Sequence, residues 1–317
     1  MAALTITRRY PLRALTAGAR WLANPVSEGG AKQVPRMHLY AAGPQMLAEV
    51  EQMRTHPTGK RILADRPDLA ATLSNPSSLA TLPPGSLGRA FHDAMNVPGG
   101  IPGYMLAGLI YRDGFYDSYD MPDDARYAIE RTRWLHDLFH VLTGYGTDLA
   151  GEGLLIYFQN AYRQKTGFWR AALSATGLGP LLFLRPHVGQ RRWRQLLREA
   201  HTNGTAARER QPPMYVYWEE LLPRPLAEVR EELAIVPFEE DTSDWLSQSL
   251  LGRRAATGFG AYSREAVQAQ LARRIVEAGV DFRDLMRATP ERAAALRRLV
   301  ADGADDVAIR AAAARLL

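Results

Sequence analysis

The stretch R-Y-A-I-E-R-T-R-W-L-H-D-L-F-H-V-L-T-G-Y-G-T-D-L-A-G-E, Arg126 to Glu152, decides how this chain is read. From Asp123 to Val141 apolar residues recur at three and four spacing, the period of a helix. A helix turns about 100° per residue, so His136 and His140 stand about 40° apart, with Asp137 about 60° beyond His140. Three donor side chains therefore share one stripe. Gly144 and Gly146 break the pattern and allow a second helix to fold back, bringing Glu152, twelve positions beyond His140, toward the first.

The residue types set the chemistry. Neutral imidazole and carboxylate suit borderline and harder divalent cations, and a chain without cysteine lacks the thiolates typical of structural zinc. Two histidines with one or two carboxylates also leave room for water or substrate, which favours catalysis over a structural staple. The plain alternative is a pair of core histidines bonded to backbone. The motif resembles the H-E-x-x-H of zinc peptidases, but Asp137 is shorter than the glutamate that serves there as general base.

Elsewhere the pattern predicts an all-α protein, a multi-helix globular bundle with a C-terminal helical extension. Met46 to Met53 repeats at helical spacing, as do Val267, Leu271 and Ile275, with Ser263 placed to cap that helix and Gly279 to stop it. Thr289-Pro290-Glu291 opens another, with Gly303 near its end. Met214 to Trp218 is the best strand candidate, and it is short. The acidic, proline-containing V-P-F-E-E-D-T-S, Val236 to Ser243, sets a boundary between residues 1–238 and an alanine- and arginine-rich extension over 239–317. Packing on the main body, self-association into a homo-oligomer and partner binding are all open to that extension.

With its flanks, the central stretch resembles the coenzyme Q biosynthesis protein four family, whose hallmark is H-D-x-x-H-x11-E. M-R-T-H-P-T-G-K-R-I-L-A-D-R-P (Met53 to Pro67), L-P-P-G-S-L-G-R-A-F (Leu82 to Phe91) and Y-W-E-E-L-L-P-R-P-L-A-E-V-R-E-E-L-A-I (Tyr217 to Ile235) are similar to family segments in the same order. The resemblance covers roughly residues 10–238.

It implies a helical protein at a membrane surface, acting in ubiquinone biosynthesis on a polyprenylated aromatic ring, where the C1 carboxyl is replaced by hydroxyl in an oxidative decarboxylation. It also implies association with other quinone-biosynthesis proteins and a divalent metal, zinc by family resemblance, held by His136, Asp137, His140 and Glu152. Zinc has no redox chemistry, and iron, manganese or cobalt suit the same donors. Gly144-Tyr145-Gly146-Thr147-Asp148 departs from the family's G-M-P-T-N, and Leu154 to Gln159 lacks its usual charges. Gly99 to Met121 also looks unlike the corresponding family region. These departures leave the substrate open to another quinone-like or isoprenoid lipid.

Composition fits this picture. With 317 residues, 46% hydrophobic, the chain can bury a substantial core, and the absence of cysteine suits a reducing compartment. The net charge of +5 is spread without aromatic-interleaved basic repeats, which argues against nucleic acid. The apolar stretch Ala171 to Leu184 is interrupted by glycine and proline and followed by the arginine-rich Arg185 to Arg198, a pattern suited to an anionic membrane surface or to a buried helix beside a solvated one. The N-terminus, with Arg8, Arg9, Arg13 and Arg20 and no acid before Glu28, reads as an amphipathic surface helix, a transit peptide or a frayed leader. The expected location is peripheral on the inner membrane: the cytoplasmic side in a bacterium, the matrix face in a mitochondrion.

Two further readings compete. His92-Asp93, His136-Asp137 and Asp148 offer the ingredients of an HD-type metal-dependent phosphohydrolase. A non-catalytic scaffold that binds an isoprenoid tail and gathers biosynthetic enzymes is the other.

Overall fold

Apolar residues at helical spacing bury one face of nearly every segment, and the computed structural model is accordingly all-α; it describes residues 4–23, 32–95, 115–163, 189–242, 245 and 271–317. The first half contains α1 (Pro11–Ala23), α2 (Gln33–Met53), α3 (Pro57–Asp65), α4 (Leu69–Leu73), α5 (Pro76–Ala80) and α6 (Leu87–Met95). The centre contains α7 (Asp123–Arg133), α8 (Leu135–Thr143), α9 (Leu149–Tyr162), α10 (Gly189–Arg210), α11 (Trp218–Leu221) and α12 (Leu226–Glu232). The extension contributes α13 (Phe282–Arg287), α14 (Pro290–Ala301) and α15 (Asp306–Leu316). A two-residue parallel pairing of β1 (Leu4–Thr5) with β2 (Tyr119–Asp120) sets Leu4 opposite Tyr119 and ties the N-terminus to the entry of α7.

The expected helix over Asp123 to Val141 is present but divided. The backbone nitrogen of Trp134 bonds the Arg131 carbonyl at 3.3 Å, a tight turn that ends α7 and lets α8 start in a new direction. Met46 to Met53 lies in α2, which bends at Ala42 (φ −130°, ψ 15°) because Pro44 has no N–H to give and its ring crowds the preceding turn.

The strand expected over Met214 to Trp218 is not formed. Pro213–Tyr215 is a turn of 3-10 helix and Trp218 begins α11. Pro212 and Pro213 have fixed φ and no donor for a ladder, and the buried Trp218 indole donates to the Pro213 carbonyl at 3.1 Å.

The main core is aromatic. Phe139 of α8 meets Trp218 with ring centroids 5.8 Å apart and Tyr162 of α9 at 5.5 Å. Helices α9 and α10 lie close because Gly204 has no side chain: a Cβ there would stand 2.2 Å from the Phe158 carbonyl oxygen. A buried ion pair fixes α7 to α11, with Arg131 donating from both guanidinium nitrogens to Glu219 at 2.5 and 2.6 Å.

The extension joins this same core. Phe282, Leu285, Leu296 and Ile309 are buried within it, and Phe282 stands edge-on to Trp134 at 5.7 Å. Thr289 caps α14, with Pro290 in its first turn, while Gly279 and Gly303 take φ of 92° and 83° where helices stop. Ser263, Val267, the Ala171 to Leu184 stretch and most of Gly99 to Met121 lie outside the described residues.

Candidate metal centre

The site is built on the turn that joins α8 to α9. Helix α8 ends where Gly144 adopts φ 74° and its N–H bonds the His140 carbonyl at 2.8 Å. A side chain there would also collide with the Phe238 carbonyl, 2.3 Å from the Cβ position. Asp148 then starts α9 by accepting from the Ala150 and Gly151 N–H groups at 2.9 and 3.2 Å. At Gly151 a Cβ would fall 1.9 Å from the Gly146 carbonyl oxygen, so only glycine lets this turn close. The closure carries Glu152, in the first turn of α9, back to the histidines.

The four residues singled out in the sequence come together. His136, Asp137 and His140 each offer a ligand atom, all within 4.8 Å of one another. The imidazole rings are 5.0 Å apart and nearly perpendicular. Glu152 bridges them, with Oε2 3.3 Å from His136 Nε2 and Oε1 3.3 Å from His140 Nε2. His140 is buried, whereas His136 and Glu152 are 39% and 35% exposed, so the cluster opens on one side.

The donor set fits a divalent cation. His140 Nδ1 bonds the Tyr145 carbonyl at 2.9 Å, which places the ring proton there and leaves the Nε2 lone pair facing the cluster. That Nε2 is sealed from solvent and makes no well-aligned hydrogen bond, although Glu152 is near. An imidazole held by a carbonyl at one nitrogen and set beside a carboxylate at the other can hold a metal ion.

Gln159, two turns along α9, touches His136 Nδ1 through its side-chain amide at 3.1 Å. The amide nitrogen is the atom placed there; in the flipped amide the oxygen would accept the Nδ1 proton and free His136 Nε2 in the same way.

The imidazoles and carboxylates shift one another's proton affinities. Burial alone lowers the His140 pKa, but Glu152, Asp137 and the Tyr145 carbonyl outweigh it and the net result is about 9. Burial raises Glu152, yet the two imidazoles prevail and hold it well below the carboxylate range. Burial pushes Asp137 up, moderated by the same two rings.

Several supports have no sequence signature. Arg230 of α12 donates to the Val141 and Leu142 carbonyls at 2.9 Å each, satisfying the end of α8. The Phe238 N–H bonds the Thr143 carbonyl at 2.7 Å, and Thr242 donates to Asp148. Gln159 too is an ordinary polar residue until its neighbour is known. The phosphohydrolase set is not assembled: His92 and Asp93 pair with each other and with Arg89 on α6, and Asp148 is spent on its cap. Among the described residues, His136, Asp137 and His140 form the only group of this kind.

Fold and donors together define an all-helical protein with an open histidine and carboxylate centre. The chain belongs to the family described as Coenzyme Q (ubiquinone) biosynthesis protein Coq4, which matches residues 22–103 and 117–239. The ubiquinone biosynthesis protein COQ4, mitochondrial, of Paracoccidioides brasiliensis (strain Pb18) is 32% identical over 187 residues, 58% of this chain and 59% of that protein. The protein of the same name from Botryotinia fuckeliana (strain B05.10) is 34% identical over 188 residues, 58% of this chain and 60% of its own length. The chain thus matches about six-tenths of each of these relatives. A crystal structure from Nostoc punctiforme PCC 73102, provisionally described as a ubiquinone biosynthesis protein, superposes with a TM-score of 0.50 at 20% identity, covering 71% of this chain and 98% of that one. At that identity it supports the fold alone.

Proposed function

We propose that this protein acts in ubiquinone biosynthesis, using a divalent cation held by His136, Asp137, His140 and Glu152 to serve an oxidative decarboxylation at ring carbon 1 of a polyprenylated aromatic intermediate. The observation that supports the reading is the buried His140 ring, held through Nδ1 by the Tyr145 carbonyl so that Nε2 faces Glu152. Such a cation supplies Lewis acidity, and iron, manganese or cobalt in the same donors would add redox capacity that zinc lacks. The chain's own part is to orient the donors: Tyr145 holds the His140 ring, Gln159 holds that of His136 through Nδ1, and the glycine turn brings in Glu152.

The proposed place of work is the surface of an inner membrane, the matrix face in a mitochondrion or the cytoplasmic face in a bacterium. Helix α1 buries Ala14 and Ala17 but leaves Leu12 and Leu15 78% and 59% exposed beside Arg8, Arg9 and Arg13. Apolar side chains flanked by arginine suit an anionic bilayer. No helix of the described residues is long and apolar enough to cross one.

Metal analysis of the native protein together with quinone intermediates from a deletion strain tests the proposal. It requires a bound divalent metal and accumulation of a C1-carboxylated prenyl ring. Accumulation of a ring already hydroxylated at C1 would sink it.

A further inference from the structure

The strap from Val236 to Thr242 is gripped at its start by a side chain of α10. Asn203 accepts from the Val236 N–H at 2.9 Å and donates to the Val236 carbonyl at 2.8 Å. Those backbone partners fix which way the amide faces. Its other amide proton serves the Tyr145 hydroxyl, whose pKa burial pushes up to about 12; the hydrogen bond from Asn203 pulls the other way, and Glu199 adds to the rise. One residue thus joins α10, the strap and the loop between α8 and α9.

The helix beneath it is a firm mount. Asparagine and glycine are both poor helix formers, yet Asn203 and Gly204 stand side by side within the 22 residues of α10. Gly204 lets α10 meet α9, the helix that carries Glu152, while Asn203 holds what leads into that helix. From Val236 the strap runs to Phe238, whose N–H bonds the Thr143 carbonyl at 2.7 Å and whose ring centroid stands 5.4 Å from that of Tyr145. Further back along α10, Arg192 pairs with Glu240 at 2.6 Å. The loop so held supplies the Tyr145 carbonyl to His140 and delivers Glu152 at its far end.

On the reading of that centre as a metal site, we propose that Asn203 is a positioning residue for it, fixing through Val236 and Tyr145 the loop that sets His140 against Glu152. It acts on the loop and not on the donors themselves. Without Asn203, Tyr145 and Val236 lose their common anchor, and the carbonyl that steadies the His140 ring is free to drift.

Cobalt(II) titration of the full chain, followed by the visible spectrum of the ion, reads the donor geometry. Asn203→Leu should weaken cobalt binding about tenfold and change the ligand-field bands at saturation. Asn203→Asp keeps the acceptor for the Val236 N–H but loses the donors, and should fall between. Glu240→Gln removes only the pair with Arg192 and should keep the unmutated spectrum. A merely structural role for Asn203 would lower the unfolding temperature without moving the bands. In the metal-free protein labelled with 15N-histidine, the Nδ1 proton of His140, held by Tyr145, should give a slowly exchanging signal that broadens in Asn203→Leu. The two measurements fail separately. If the unmutated protein binds no cobalt while the Nδ1 signal still responds to Asn203→Leu, the metal reading fails and the positioning of the ring stands. A Nδ1 signal and cobalt bands unchanged in both Asn203 variants would overturn the positioning role, as would an effect of Glu240→Gln equal to that of Asn203→Leu. If Asn203→Leu does not fold, Asn203→Asp carries both measurements.

Discussion

The Nδ1 atom of His140 and the carbonyl oxygen of Tyr145, five residues on, stand 2.9 Å apart because Gly144 turns the chain directly beneath the ring. This contact commits the imidazole to one tautomer. Nε2 then faces Glu152 and becomes a ligand once it gives up its proton, and His140→Ala should abolish binding of zinc or cobalt. Calorimetry checks it, and a cation at about a hundred times its dissociation constant should stabilise the unmutated protein by roughly 2.7 kcal/mol but leave the variant unchanged. A folded, inactive variant supports catalysis; lowered abundance and lost partner association support the scaffold.

The metal-free protein should show a distinct pH profile. The His140 pKa is raised to about 9 from 6.5, so its contacts stabilise fully below pH 6.5 and are lost as pH rises through 9. Glu152 is depressed from 4.5, so its contribution is present above that value and fades as pH falls below it. The two overlap fully only between pH 4.5 and 6.5. Urea midpoints taken at intervals from pH 5 to 9 should fall toward the alkaline end, and His140→Ala should flatten that fall. Metal affinity should move the other way, rising as the imidazole loses its proton.

Gln159→Leu removes the bond to His136 without touching a proposed ligand. Loss of an outer hydrogen bond of this kind weakens metal binding about 10–100-fold, which metal titration would detect. Gln159→Glu should restore affinity, because a carboxylate accepts the Nδ1 proton and makes the ring a stronger donor to a metal.

Phe282→Ala should cost about 3 kcal/mol, since it empties a buried site against Trp134, the residue at the break before α8. Chemical denaturation measures it. A loss below about 1 kcal/mol would mean that the extension is held by its polar contacts, such as Arg283 with Asp68 at 2.5 Å, rather than by apolar packing.

How much of this was legible in the sequence follows the range of each signal. The His136 to His140 stripe, the glycine break and the return of Glu152 are local, and spacing alone conveys them. The Trp134 break was not visible, because the apolar period continues through it while the backbone changes direction. Met214 to Trp218 alternates like a strand, but two prolines ahead of it removed the donors that a ladder needs. Arg230 and Gln159 depend on contacts between segments far apart in the chain. Composition treats such residues as solvated surface; only packing reveals which have been withdrawn from water.

The segment around Val236 to Ser243 has a second meaning. Acidic and proline-bearing, it reads as slack between two units, yet Phe238 is bonded to Thr143, and Thr242 to Asp148, at either end of the loop that separates His140 from Glu152. What looks like a tether is a drawstring. A pull on Phe238 or Thr242 would pass directly to the loop that sets the spread between α8 and α9.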